Sequence, residues 1–276
     1  MSDPSYIERP NRWLTAYALG FMTFLYVPIL LIPLFSVNDS IYVKFPLEGF
    51  TLEWFVQLWH RDTIWNAFYN SLRVGVFASI ITTTLGIFVA IAIARHRLPG
   101  QSAIIVFLML PMIVPGIILG VALLIVLNQI GIQLSLLTVT IGHLIICLPF
   151  SVATLLPRFQ GFDRSMEEAS ADLGETGFWT FWRVTFPIVF PGIVASLILT
   201  FLISFDEFFM AFFLGGSEAT LPIYMWSQLR FPSEFPTILA LATLILLFSY
   251  ILVLLALWFG RIGLVKTIED KPAGVA

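Results

Sequence analysis

Two carboxylates, Asp206 and Glu207, interrupt the apolar run Ile188–Leu214, and no other acid lies inside a run of that kind. Ionisable groups at such depth are costly and mostly face a polar path or a partner. Phe205, Phe208, Phe209, Phe212 and Phe213 accompany them, and aromatic faces attract cations. The chemistry on offer is passage of a cationic solute. Helix packing or hydrogen bonding at a gate is the other reading. Neighbouring helical positions point about 100° apart, so both carboxylates cannot face one path squarely. Which one does so stays open.

A second polar stretch, Glu167-Glu168-Ala169-Ser170-Ala171-Asp172-Leu173-Gly174, lies in a segment from Arg158 to Phe186 that is too polar to insert. Ser165-Met166-Glu167-Glu168 has the capping-box pattern, so a helix is expected to begin there. Met166, Ala169, Ser170 and Leu173 recur at helical spacing and predict a narrow, small-residue face. Gly174 fits the left-handed position that ends a helix. Thr176 is expected to cap a second helix carrying Phe178, Trp179, Phe181 and Trp182, with Pro187 opening the next apolar run. Such a lever, with Glu167, Glu168, Asp172 and Glu175 as its acidic side, suits docking to basic groups on a partner. A solvated amphipathic connector has the same pattern.

Other chemistry is excluded or thin. His60, His96 and His143 stand apart, none with a second histidine or carboxylate one helical turn on, so no metal site is expected. For His143, a packing hydrogen bond is favoured over ligation. The single cysteine, Cys147, rules out a disulfide within the chain and reads as a small buried hydrophobe. Gly260-Arg261-Ile262-Gly263-Leu264-Val265-Lys266-Thr267 approaches a phosphate-binding loop, but Val265 stands where the second glycine must be. A side chain there would block the phosphate cradle. No catalytic residue and no nucleotide site are therefore assigned to this chain.

The elements that must position these residues are membrane helices. Of the 276 residues, 59% are hydrophobic and 11% charged, against about a quarter charged in soluble domains. Net charge is −3, which suits neither nucleic acid nor a polybasic lipid patch. A span needs about 20 apolar residues. Six runs qualify: Trp13–Val37, Ser71–Ala94, Ile104–Leu127, Leu134–Leu156, Ile188–Leu214 and Ile238–Gly260. The first is too long for a signal peptide and no cleavage site follows it, so an uncleaved span is expected. Continuous apolarity excludes the alternation of a transmembrane barrel, and the fold class is all-α.

Six spans put both termini on one side, with ten Lys and Arg on that face, Arg9 and Lys271 among them, against Lys44, Arg61, Arg73 and Arg230 on the other. The positive-inside rule makes the richer face cytoplasmic. The outer loop Asn38–Asn70 carries Trp54, Trp59 and Trp65 as interfacial anchors, and Ser217–Pro236 is expected to be a re-entrant or surface hairpin. Prolines inside or beside the spans, Pro111 and Pro115 among them, predict kinks.

Glu168-Ala169-Ser170-Ala171-Asp172-Leu173-Gly174, followed by Phe186-Pro187 and Pro191-Gly192, resembles the EAA motif of ABC-importer permeases. Ser170 replaces the second alanine, and both are small. The likeness runs from about Asn66 to Gly260, taking in Leu110-Pro111 and Pro115-Gly116. It divides the chain into residues 1–65 (tail, first span and outer loop), a permease core at 66–260 and a cytoplasmic tail at 261–276. Further stretches, including Asn38-Asp39-Ser40, Gly49-Phe50-Thr51-Leu52-Glu53-Trp54-Phe55, Ser204-Phe205-Asp206-Glu207 and Leu221-Pro222, resemble the second permease of spermidine/putrescine importers.

The resemblance implies a type I importer architecture in a bacterial inner membrane. It implies a second, different permease, two copies of a cytoplasmic ATPase that bind ATP and Mg, and a periplasmic binding protein. It makes residues 167–174 the ATPase-docking helix. Another solute (ferric iron, an opine, a phosphonate or an oxyanion) fits the same machine. An ion-driven carrier would show inverted repeats, and none is visible. A membrane enzyme would need a catalytic cluster.

Overall fold

The computed structural model describes residues 12–269. Arg9, Lys271 and residues 270–276 of the expected tail lie outside the described residues. Twelve α-helices follow one another among the described residues. The first six are α1 (Arg12–Ser36), α2 (Glu53–Trp59), α3 (Asp62–Arg95), α4 (Gln101–Ile113), α5 (Gly116–Gln129) and α6 (Leu136–Gln160). Then come α7 (Ser165–Asp172), α8 (Gly177–Thr180), α9 (Phe186–Phe205), α10 (Phe209–Leu214), α11 (Leu221–Gln228) and α12 (Phe235–Glu269). A single isolated bridge, Asn38 to Phe50, is the only extended pairing among these residues.

Five helical stretches are long and apolar enough to cross a membrane, and a sixth is counted if α4 and α5 form one broken span. The third expected span, Ile104–Leu127, is thus corrected: α4 and α5 meet at 102°. Pro115 has no N–H to continue the helix, and it drives Val114 into extended backbone at φ −75°, ψ 126°. The fifth expected span is corrected too, because α9 stops at Phe205 and α10 begins at Phe209. Asp206 and Glu207 therefore lie at a helix break, where the angular argument for adjacent helical positions does not apply. The second span starts at Asp62, before the expected Ser71, and the last helix runs on to Glu269 through the stretch expected to be a tail.

The molecule divides into two units. One contains α1, α2 and the segment Gln228–Leu246. Almost every side chain of α1 is exposed, with only Phe35 and Ser36 buried, as befits a helix whose solvent is lipid. Within this unit Trp54 Nε1 donates to the Asn38 carbonyl at 2.9 Å, and Arg61 pairs with Glu234. Trp54 thus ties α2 to the chain just beyond α1.

The second unit runs from Asp62 to Ser227 and takes in the rest of α12. Its centre is the mutual packing of α3, α6 and α9. Ala90, Leu155, Phe159, Val189 and Ile193 form one apolar cluster there. Val74, Leu127, Val139, Met210, Ala211 and Leu214 form another, where α10 packs on α5 and α6. Between Gln228 and α12 lies only a short 3-10 turn, Pro232–Glu234. The segment Ser217–Pro236, expected to be a re-entrant or surface hairpin, contains the helix α11 and this turn.

Candidate functional site

The polar stretch between α6 and α9 forms the expected short helix, α7, but its start differs from expectation. The capping box does not form, and Arg164 at the N-cap makes no side-chain cap. Asp163 Oδ1 accepts the Ser165 N–H at 3.0 Å instead, and this bond holds the Asp163 carboxyl below the usual carboxylate range. The end is as expected. Gly174 has φ +87°, its N–H bonds the Ala171 carbonyl at 2.9 Å, and the Glu175 N–H reaches the Ser170 carbonyl at 3.2 Å. These are the paired bonds of a Schellman stop.

Its two faces differ sharply. Ser170 is buried and its Oγ lies 3.0 Å from Thr180 Oγ1. Glu167 turns inward to Arg95, with Arg95 Nε at 2.9 Å from Oε2, and its Oε1 accepts the Thr185 hydroxyl at 2.7 Å. Glu175 pairs with Arg183, whose guanidinium lies 5.0 Å from the Trp179 ring centre. The single acidic side expected for Glu167, Glu168, Asp172 and Glu175 is therefore corrected: two of the four acids brace the protein's own segments. Met166, Ala169 and Leu173 are exposed on the outer face with Glu168, Ala171 and Asp172. Leu173 is 87% exposed, an apolar side chain offered to whatever covers this face.

After Thr176, α8 passes into a wider turn at Phe181–Thr185, in which the Phe186 N–H reaches back five residues to the Phe181 carbonyl. Pro187 has no N–H for the Arg183 carbonyl, so regular helical bonding is already broken there. Phe178, Trp179, Phe181 and Trp182 meet edge to face, and Phe186 packs edge to face on Phe181 and tilted on Trp182. The expected second helix is present, joined without interruption to the span, although Thr176 makes no side-chain cap. Sequence reading missed Arg95, Thr180 and Thr185 as braces. Arg95 registered only as an orienting charge, and nothing local marks its partner 72 residues on.

At the break after α9, Glu207 accepts the Phe209 N–H through both oxygens at 3.1 Å and the Met210 N–H at 3.4 Å. It acts as the cap of α10. Asp206 is exposed, and no hydrogen bond or ion pair engages its carboxylate among the described residues. Phe205 is buried against Phe68, Phe201 and Phe248, which makes it a core residue. Phe208 stacks on Phe212 at 5.5 Å and meets Trp226 edge to face at 5.7 Å. Phe212 and Trp226 are more than half exposed. The break thus carries one unpaired carboxylate, two residues before a phenylalanine whose ring partners are exposed. His143 is buried and bonded to Ser204, with no cluster of metal-ligating side chains among the described residues.

Five or six membrane-length helices, one stopping at a pair of carboxylates, and a short braced helix between two of them make this a helical membrane protein. Residues 83–262 match the family described as binding-protein-dependent transport system inner membrane component, and the chain belongs to that family, as a permease component of an ABC importer. It is 32% identical over 249 residues to the spermidine/putrescine transport system permease protein PotC of Escherichia coli K12, covering 88% of this chain and 93% of that one. To the putrescine transport system permease protein PotI of the same strain it is 32% identical over 254 residues, 89% of each chain. Among solved structures, a bacterial ABC transporter involved in the import of alginate matches 91% of this chain and 93% of its own, with TM-score 0.63 and 16% identity. That likeness concerns the fold.

Proposed function

We propose that this permease carries a polyamine, spermidine or putrescine, delivered by a periplasmic binding protein across a bacterial inner membrane. The observation that carries the reading is the likeness to two polyamine permeases across nearly nine-tenths of the chain. The unpaired Asp206, at the break that also carries Phe208 with its ring partners Phe212 and Trp226, supports it. A carboxylate and aromatic faces are what an alkyl ammonium needs when it sheds water. Glu207 and Phe205 shape the same break, one as a cap and one as packing.

The core at 66–260 works beside a different permease. Of two copies of a cytoplasmic ATPase that bind ATP and Mg, one docks on the outer face of α7 through Glu168, Ala169, Ala171, Asp172 and Leu173, with Gly174 setting the stop. Both termini then lie in the cytoplasm. Uptake of labelled spermidine and putrescine into proteoliposomes holding the whole complex tests the reading. ATP-dependent uptake supports it. Uptake of an oxyanion or ferric complex with none of either polyamine overturns it.

A further inference from the structure

Two adjacent acids at the start of α7 have opposite surroundings. Glu168 is two-thirds exposed and pairs only with Arg164 on its own helix, at 3.4 Å. Glu167 is three-quarters covered and holds two partners from different membrane helices. Arg95, the last residue of α3, reaches it with Nε at 2.9 Å and Nη2 at 3.2 Å. The guanidinium itself rests 5.2 Å from the Phe162 ring centre. Thr185, the last residue of the widened turn leading into α9, is 3% exposed and donates at 2.7 Å. Partial burial shields this ion pair from salt more than a surface pair.

We propose that Glu167, and not its motif neighbour Glu168, is the positioning residue that passes movement of α7 into the membrane helices. The proposal rests on reading α7 as the ATPase contact. Transmission between sites requires an element with two arrangements that both sites bias. In this proposal the turn Phe181–Thr185 takes that part, since wide turns of this kind recur at functional positions in helices. Its alternative is a change of pitch that moves the chain after Phe186 relative to α7, short of a fully regular helix because Pro187 leaves the Arg183 carbonyl without its helical donor. The Glu167–Thr185 bond ties that choice to the pose of α7, and Arg95 ties α3 to the same carboxylate. The hydroxyl pair Ser170–Thr180 and the exposed pair Glu175–Arg183 hold α7 to the segment before the turn's end. Neither reaches the residue where the turn closes.

Hydrogen–deuterium exchange on the intact complex, with and without ATP and vanadate, tests this over two segments, Ser165–Asp172 and Phe181–Thr185. In the wild type both should respond to nucleotide. In Glu167→Ala, which removes the acceptor for Thr185 as well as the charge facing Arg95, the α7 response should persist, while the response at Phe181–Thr185 should fall by about fivefold or more, the lower end of ordinary coupling between sites. The charge reversal Arg95→Glu with Glu167→Arg should restore it. Glu168→Gln should lower co-purification of the ATPase yet keep the turn's response per bound ATPase. An unchanged response of the turn in Glu167→Ala overturns the proposal. So does a loss that charge reversal fails to rescue, because that marks a folding defect. An α7 segment indifferent to nucleotide in the wild type removes the docking reading, and this proposal with it.

Discussion

His143 Nδ1 and Ser204 Oγ meet at 2.6 Å across the interface of α6 and α9, and the contact repeats one helical turn at a time. Cys147 Sγ points at the Thr200 carbonyl at 3.6 Å, and the Ser151 and Ser196 hydroxyls lie 3.0 Å apart. Thr83 of α3 closes on Ser196 at 3.3 Å. Residues four apart on one helix face their counterparts four apart on an antiparallel neighbour, so a ladder of small polar side chains joins the three central helices. In lipid, close backbone approach and such hydrogen bonds replace the hydrophobic drive that holds soluble bundles.

The closest approach in this ladder is at Gly86, where a Cβ would collide with the Ser151 side chain. Gly86→Val should therefore force α3 from α6 and destabilise the core by about 1–3 kcal/mol. Thermal unfolding of the detergent-solubilised complex should show a lowered midpoint. Gly100→Val, at a glycine with open space around it, is a poor control because its φ is +70°. Gly20→Val is the better one, with nothing within 4 Å of its Cβ position and an ordinary φ.

At the stop of α7, Gly174 has open space but φ +87°. A β-branched residue there should cost about 1–3 kcal/mol in backbone strain and loosen the two Schellman bonds. For Gly174→Val we expect the ATPase to co-purify poorly and polyamine uptake to fall, with Gly174→Asn intermediate. Wild-type coupling in Gly174→Val would count against α7 as the docking helix.

The charge split predicts the orientation. In a background with Cys147 replaced by Ser, a cysteine at Glu53 should react with an impermeant maleimide from outside intact cells. One at Glu168 should react only after the cytoplasmic face is opened. Both positions are exposed, so access to solvent is not what separates them. The reverse pattern would overturn the assignment of both termini to the cytoplasm.

The two carboxylates at the break should separate by function. Asp206→Asn removes charge from a group with no bond to lose, so spermidine uptake should drop at least about tenfold, the effect of some 1.4 kcal/mol, with assembly unchanged. Glu207→Gln keeps an acceptor for the Phe209 N–H and should have a milder effect. Glu207→Ala removes the cap of α10 and should lower stability by about 1 kcal/mol. Uptake that survives in the double charge-neutral variant would leave selectivity to the aromatic residues and the companion permease.

The identity of the helices was legible because it depends on local chemistry. Twenty-odd apolar residues in a row leave the backbone no partner but itself in lipid, and Gly174 ends α7 for a reason contained in its own missing side chain. The break at Pro115 was nearly legible as well, since the residue before a proline is pushed out of helical backbone. What the chain's order alone left open is which way each charge turns. Glu167 and Glu168 are chemically equivalent neighbours, and only Arg95 and Thr185, 72 and 18 residues away, draw one of them inward. Asp206 and Glu207 look alike in sequence, yet the N–H groups freed at the break engage Glu207 and leave Asp206 unpaired. Direction is decided by partners brought together in space, and a run of residues does not contain its partners.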